Sequence, residues 1–167
     1  MEEKISDSRG FTLIELVTVI IIAAILSAIA GMGLVQIANG YVFARKNAAV
    51  SQHAQVGLAR LVKELTEIRS VPSATATGLT YQRISAATGL PETHTISWAG
   101  ADQPIMLDGD ALIGKVRSFS LTYFNYDYST RAFTASSYSA STMIIELNFQ
   151  LTGYNETPLV FIERVVI

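Results

Sequence analysis

Few side chains in this sequence could support chemistry, and they lie far apart along the chain. The two histidines, His53 and His94, have no cluster of potential metal ligands near them in sequence, and the chain has no cysteine. No G-x-S-x-G motif, phosphate loop or glycine-rich nucleotide fingerprint occurs. One ionisable residue stands out by its position, because Glu15 lies inside an otherwise apolar run. The sequence therefore predicts no enzyme and no cofactor, and it directs attention to Glu15.

The composition is apolar for a soluble protein and nearly neutral in charge. Half of the 167 residues are hydrophobic, 16% are charged, and the formal net charge is −2. The hydrophobic excess is concentrated in residues 11–38, where Glu15 is the only charged residue. A chain of this length has room for one ordinary domain with an appendage. Because no basic excess is present, we expect no nucleic-acid partner.

The apolar run from residue 11 to residue 30 is long enough to cross a membrane. Twenty residues of helix span about 30 Å, the thickness of a bilayer's hydrocarbon core. An ordinary signal peptide is one interpretation, since Ala28-Ile29-Ala30 resembles a cleavage site, but the run exceeds the usual 7–15 residues. A plain transmembrane anchor is another, but it leaves Glu15 as an uncompensated cost.

A third interpretation gives Glu15 a purpose. If the chain is cut between Gly10 and Phe11, residue Phe11 carries a new α-amino group four residues before Glu15. An amine and a carboxylate are each costly in lipid when alone, and both are tolerated as a pair. If many copies pack side by side, Glu15 of one subunit can bind the Phe11 amine of the next. A neighbour out of register would leave both charges unpaired, so this pair would set the axial register.

The N-terminal sequence resembles that of type IV prepilins and of the pseudopilins of type II secretion. The resemblance rests on a short hydrophilic leader, the Gly10-Phe11 junction, then Thr12-Leu13-Ile14-Glu15 and the long apolar run, and it covers only residues 8–30 or so. It implies cleavage after Gly10 and N-methylation of Phe11 by a prepilin peptidase, with Glu15 and Thr12 serving assembly. It also implies partners: other pilin or pseudopilin subunits, an inner-membrane assembly platform and membrane lipid.

The same resemblance suggests a location and one weak metal site. The protein would cross the bacterial inner membrane once, with its head in the periplasm or outside, before joining a surface pilus or a periplasmic pseudopilus. Loops in some pseudopilins bind Ca²⁺, and Asp102, Asp108 and Asp110 could supply oxygen ligands here. They lack the dense spacing of a dedicated calcium loop, so the three are weak candidates and no metal is expected.

The helical pattern continues beyond the apolar run. Apolar residues recur at spacings of three and four and predict one buried stripe: Val50, Ala54, Leu58, Leu61, Leu65 and Ile68. The pairs Arg60/Glu64 and Lys63/Glu67 are expected on the other side. Pro72 predicts a helix end near Arg69 or Ser70. Gly31-Met32-Gly33 replaces the proline common in pilins, and a split into two helices at Asn39-Gly40 remains an alternative.

The chain from residue 71 onward predicts a β-rich head. MIIELNFQL and SFSLTYF alternate apolar and polar residues, GLTYQRIS, THTISW and PLVFIERVV are further strands, and Asp108-Gly109 predicts a hairpin. The stretches SATAT and TASSYSAST are expected to be loops. The predicted fold is α+β: a long helix whose first half is transmembrane and whose second half packs on an antiparallel sheet, a pilin-like lollipop. The expected domains are a leader (1–10), the helix (11–70, with 11–30 in the membrane) and the head (71–167).

The predicted function is that of a structural subunit, most plausibly a minor pilin or minor pseudopilin. The absence of cysteine excludes the C-terminal disulfide of many major pilins, which favours a minor subunit. Pilus priming, protein secretion and competence remain open as the task of the filament. The alternative from another class is a membrane-anchored or secreted ligand-binding domain that does not polymerise.

Overall fold

The computed structural model describes residues 11–167 and consists of one long helix followed by an antiparallel sheet. The helix α1 is Leu13–Thr66. The strands are β1 (Ser70–Ala74), β2 (Gly78–Ile84), β3 (Pro91–Trp98), β4 (Gln103–Leu107), β5 (Asp110–Asp127), β6 (Ala132–Ser136), β7 (Thr142–Thr152) and β8 (Pro158–Val166), with a single 3₁₀ turn at Tyr154–Glu156. The predicted α+β fold is confirmed.

The chain divides into two compact units at Ala44/Arg45. The first unit contains the N-terminal part of α1, and its described side chains are almost all exposed. The second unit, Arg45–Ile167, contains the last six turns of α1 and the whole sheet. Helical hydrogen bonding is assigned without a break through Gly31-Met32-Gly33 and through Asn39-Gly40, so α1 is one helix and not two.

The helix ends at Thr66, three residues before the earlier of the two positions that Pro72 suggested. The N–H groups of Glu67 and Ile68 donate to the carbonyls of Glu64 and Leu65, which tightens the last turn. The N–H of Arg69 then donates to the carbonyl of Gln82 in β2 at 2.8 Å. The backbone joins the sheet at this point, so sheet pairing ends the helix before the proline restriction acts.

The sheet has the order β1-β2-β3-β4-β5-β7-β8, with β6 paired to the far end of β5, and every pairing is antiparallel. The two longest strands, β5 and β7, pair with each other, with Phe119 opposite Phe149 and Leu121 opposite Leu147. These side chains are buried on the face that packs against α1. Alternation with a period of two, as in SFSLTYF and MIIELNFQL, is what places one set of residues there.

The two-residue turn Asp108-Gly109 connects β4 to β5, as the sequence predicted. Leu107 and Asp110 pair across it, and both turn residues have positive φ, 55° and 90°. This is the backbone of a type I′ turn, for which Asp-Gly is a preferred sequence. The turn fixes the register of the hairpin that carries Asp108.

The strands β1 and β6 were not predicted. β1 has the sequence SVPSA, and β6 covers AFTAS, which overlaps a stretch expected to be a loop. Both are five residues long, and every residue of β6 is exposed. A strand without a buried face gives no apolar alternation, so pairing with β5 is what creates β6.

Close packing of α1 on the sheet depends on a glycine. A Cβ built on Gly57 would lie 2.4 Å from Cγ1 of Ile113 and 3.2 Å from the carbonyl oxygen of Leu112. The buried helix positions Ala54, Gly57, Leu61 and Leu65 repeat at spacings of three and four. The buried stripe of α1 therefore contacts β5 through Gly57, the smallest residue of the stripe.

Candidate functional site

The first turn of α1 is capped by Thr12. The Thr12 hydroxyl oxygen accepts a hydrogen bond from the backbone N–H of Glu15 at 3.4 Å, and the Thr12 carbonyl accepts one from the N–H of Leu16 at 3.2 Å. Threonine at the N-cap with glutamate three residues later is the capping-box sequence. The T-x-x-E spacing at residues 12–15 is the sequence signal for this cap. Capping is thus an observed role of Thr12, and its role in assembly is still a prediction.

Capping does not account for the charge on Glu15. The residue is exposed, and its carboxylate has no ion-pair partner among residues 11–167. A carboxylate in the first turn of a helix gains about 0.3–1 kcal/mol from the helix dipole. The cost at a bilayer centre is larger, about 2.5–3.5 kcal/mol. The carboxylate therefore needs a partner beyond this part of the chain, or a position near the membrane surface.

Phe11 lies directly before the capped turn, and its side chain is 79% exposed. Gly10 and the rest of the predicted leader, 1–10, lie outside the described residues. Cleavage after Gly10 and modification of Phe11 thus remain predictions. The same holds for pairing of Glu15 with the Phe11 amine.

The apolar part of α1 meets the requirements of a membrane-spanning helix. Among residues 11–167, α1 is the one helix that is long and apolar enough to cross a bilayer. From Leu16 to Ala44 it carries no charged side chain, which is about 43 Å of helix. The hydroxyls of Thr18 and Ser27 donate to the carbonyls of Ile14 and Ala23 at 2.8 and 2.7 Å. Both polar groups are thereby satisfied within the helix.

A buried carboxylate lies between α1 and the sheet. Glu64 is 1% exposed, although the sequence placed it with Arg60 on the side away from the core. Glu64 is buried because Gly57, Leu61 and Glu64 follow the spacings of four and three that define the buried stripe. Had Gly57 been included in the buried stripe, the sequence would have predicted that Glu64 is buried.

Glu64 is held by three side chains. Tyr81 donates its hydroxyl to Oε2 of Glu64 at 2.9 Å, and Nη1 of Arg83 lies 3.3 Å from the same oxygen. Nη2 of Arg60 lies 2.8 Å from Oε1 in an ionic contact. Nη1 of Arg83 also donates to Glu67 at 3.0 Å. The buried charge is therefore paired from both the helix and the sheet.

This network shifts the pKa of two neighbours. Burial and the hydrogen bond to Glu64 raise the pKa of Tyr81 far above its usual range, so that its hydroxyl remains a donor. Burial lowers the pKa of Arg83, but the carboxylates of Glu64 and Glu67 outweigh it and raise the net value. The arrangement keeps Tyr81 protonated as a donor and Arg83 cationic beside the Glu64 carboxylate.

His94 and Asp108 extend the network across the sheet. Nδ1 of His94 lies 2.6 Å from Oδ2 of Asp108, and Nε of Arg83 donates to Nε2 of His94 at 3.0 Å. Partial burial favours the neutral carboxyl of Asp108, but hydrogen bonds from His94 and from the Thr95 N–H hold its pKa below the usual range. Both nitrogens of His94 are thus engaged. No serine, threonine or cysteine side chain is bonded to them within residues 11–167.

The three aspartates named as weak calcium candidates occupy different surroundings. Asp102 lies in the turn before β4, whereas Asp108 is the first residue of the β4–β5 turn and Asp110 is the first residue of β5. Asp108 uses both carboxylate oxygens on His94 and Thr95. Within residues 11–167, no three acidic, histidine or cysteine side chains are grouped so as to hold a metal ion. His53 is exposed on α1.

The aromatic residues of β5 and β6 divide between the two faces of the sheet. Tyr123 is buried and donates to the carbonyl of Thr75 at 2.7 Å, and burial raises its pKa to about 12. Tyr126 packs against Tyr128 and Phe133 on the opposite face. Tyr128 is 73% exposed. The aromatic side chains of this region are therefore divided between the core and the surface.

Comparison with known proteins concerns the N-terminal segment alone. Residues 5–31 match the family model described as the prokaryotic N-terminal methylation motif. No curated protein and no solved structure matches the chain. The matched segment contains Gly10, Phe11, Thr12 and Glu15, and it is followed by the long apolar helix and the antiparallel sheet. The chain thus carries the N-terminal methylation motif that is characteristic of type IV prepilin-like proteins.

Proposed function

We propose that this chain is a structural minor subunit of a type IV pilus-like filament or of a type II secretion pseudopilus. A prepilin peptidase would cut after Gly10 and methylate Phe11. The processed subunits would then assemble through α1. The observation that carries the proposal is Glu15, the one charge in the apolar part of a helix that begins with the methylation motif.

The exposed N-terminal unit supports assembly through the helix. Its large apolar side chains are exposed from Phe11 to Phe43. A surface of this kind needs lipid or neighbouring helices around it. In the membrane, lipid would cover this apolar surface. In a filament, the helices of other subunits would cover it. The assembly platform of the inner membrane would move the subunit from the first surroundings to the second.

The Glu15 carboxylate would then pair with the Phe11 amine of a neighbouring subunit. Glu15 has no ion-pair partner within residues 11–167, and an unpaired carboxylate in a dry helix bundle is costly. A neighbouring subunit that is shifted along the filament axis would leave the Glu15 carboxylate unpaired. The pair thereby selects one axial register.

Substitutions at residues 12 and 15 separate the charge from the cap. Glu15→Ala and Glu15→Gln remove the carboxylate but retain the backbone N–H that Thr12 caps. Thr12→Ala removes the cap, worth about 1 kcal/mol, and retains the charge. We expect both Glu15 variants to insert into membranes and to be lost from filaments sheared off native cells. Thr12→Ala should still enter those filaments, in a reduced amount, because it loses the cap and keeps the charge.

Three outcomes would reject this mechanism. If Glu15→Ala enters sheared filaments as well as the wild type does, the carboxylate sets no register. If neither the wild type nor any variant enters sheared filaments or crosslinks to neighbouring subunits in the cell envelope, the protein is a membrane-anchored domain that does not polymerise. If Thr12→Ala fails as completely as Glu15→Ala, the capped first turn is the requirement and the charge is not.

A further inference from the structure

The last strand, β8, leaves one edge of the sheet open. Within residues 11–167, β8 pairs with β7 alone, through nine consecutive residue pairs without a register shift, from Pro158 opposite Thr152 to Val166 opposite Ile144. The other edge, β1, is protected in the usual ways: it is five residues long, contains Pro72 and has a register shift after Ser70. The two edges are thus built differently, and only β8 is a regular template for another strand.

The outer face of β8 is apolar and exposed. Val160 and Ile162 are each 57% exposed, and Val166 is 71% exposed. They lie on the face away from α1, because Leu159, Phe161 and Val165 alternate with them and belong to or pack against the core. Exposed β-branched residues beside an unpaired strand edge favour strand addition.

One charge on this strand restricts what can pair with it. Glu163 lies on the side of the sheet that faces α1, between Phe161 and Val165, and is opposite Leu147 of β7. Within residues 11–167 its side chain has no hydrogen bond or ion pair. Arg164, its neighbour in sequence, lies on the other face and bonds to Glu146 at 2.7 Å. An inward-pointing charge on an edge strand is a recognised device against unwanted pairing.

Glu163 disfavours antiparallel pairing of β8 with the β8 strand of a second copy of this chain. Residues directly opposite in an antiparallel pair share a face of the sheet. In any antiparallel pairing of two β8 strands that continues the sheet, Glu163 would therefore lie opposite an odd-numbered residue of the other copy. From residue 157 to residue 167 these are Thr157, Leu159, Phe161, Glu163, Val165 and Ile167, and none is basic. Self-pairing would leave the charge uncompensated or place two glutamates together.

We infer that the β8 edge binds an extended segment of a different protein, which adds antiparallel to β8 and places a lysine or arginine opposite Glu163. Apolar residues of that segment cover Val160 and Ile162. Backbone hydrogen bonds supply affinity, and the charge opposite Glu163 supplies specificity. The inference is independent of N-terminal processing, because it uses contacts of the second unit alone.

Synthetic peptides test this pairing on the full chain in detergent micelles. The probe is a labelled nine-residue peptide of alternating valine and threonine, with lysine at the position opposite Glu163. A second peptide carries glutamate there, and a third is the lysine peptide with N-methyl groups on its strand-facing amides. We expect fluorescence anisotropy to show binding of the lysine peptide about tenfold tighter than that of the glutamate peptide, with no binding of the methylated one.

Charge reversal on the protein completes the test. Glu163→Lys should reverse the preference between the two peptides, whereas Glu92→Lys, on β3, should leave it unchanged. Bound peptide should also slow hydrogen exchange of β8 amides. Equal binding of both charged peptides, binding of the methylated peptide or absence of binding at millimolar concentration would each overturn the inference. So would self-association of the chain that Val160→Lys abolishes.

Discussion

Glu64 is the one charged side chain that is buried within residues 11–167, and it lies between α1 and the sheet. Its carboxylate is 1% exposed and is bound by Tyr81, Arg83 and Arg60. We expect Glu64→Gln to lower the free energy of unfolding by about 2–3 kcal/mol, because two arginines then lose their anion in a partly buried site. Urea unfolding of the full chain in detergent measures this, with the fluorescence of Trp98, the only tryptophan, reporting on the sheet.

Glu67→Gln is the matched control for that substitution. Glu67 binds Arg83, one of the two arginines that contact Glu64, at 3.0 Å, but the Glu67 side chain is 44% exposed. The loss in free energy of unfolding should therefore stay below about 1 kcal/mol. Equal and small losses in the two variants would contradict the importance of the buried carboxylate.

The two important glutamates differ in how far the sequence could predict them. Glu15 was predictable, because a lone charge in an apolar run is visible without a structure. Glu64 was not recognised, since a charged residue with an arginine four positions before it has the pattern of a solvated helix face. Its partners Tyr81 and Arg83 come from β2, and no local pattern indicates which strand lies against a given helix turn.

At the scale of elements, Gly57 sets how closely α1 approaches β5. Gly57→Ala would place a methyl group 2.4 Å from Cγ1 of Ile113, beside the backbone of Leu112. Overpacking of this kind costs about 1–3 kcal/mol, and the helix propensity of alanine returns about 1 kcal/mol at most. We therefore expect a net loss of stability, read as a lower midpoint of thermal unfolding by Trp98 fluorescence.

Gly40→Ala supplies the comparison within the same helix. A Cβ at Gly40 meets no atom within 4 Å, so this variant should unfold at the wild-type temperature or above it. If Gly57→Ala matches Gly40→Ala, the close approach at Ile113 does not limit the packing.

The strands follow the same division between local and distant information. β7 was predictable because its alternate residues are buried, as in Leu147 and Phe149. The β4–β5 turn was predictable because Asp-Gly suits two positive φ angles. By contrast, β1 contains a proline and β6 has no buried residue, so these two strands exist through their neighbours and carry no signal of their own.

At the scale of the whole molecule, the two units carry different functional features. The first unit carries the methylation motif and the apolar part of α1. This motif is characteristic of type IV prepilin-like proteins and points to a structural subunit. The second unit is held by its own core and carries the open β8 edge. Each unit also carries a carboxylate without an ion-pair partner among residues 11–167, Glu15 in the first and Glu163 in the second, and we propose that both select partners.

The central claim is that the chain is processed as a prepilin, and the N-terminal mass of the protein from its own membranes tests it most directly. Mass spectrometry of the purified chain should give a polypeptide that begins at Phe11 and carries one added methyl group. This result would place the new amine four residues before Glu15, as the register mechanism requires. A chain that begins at Gly31 would contradict the account, because an ordinary signal peptidase would then have removed Glu15 together with the apolar helix.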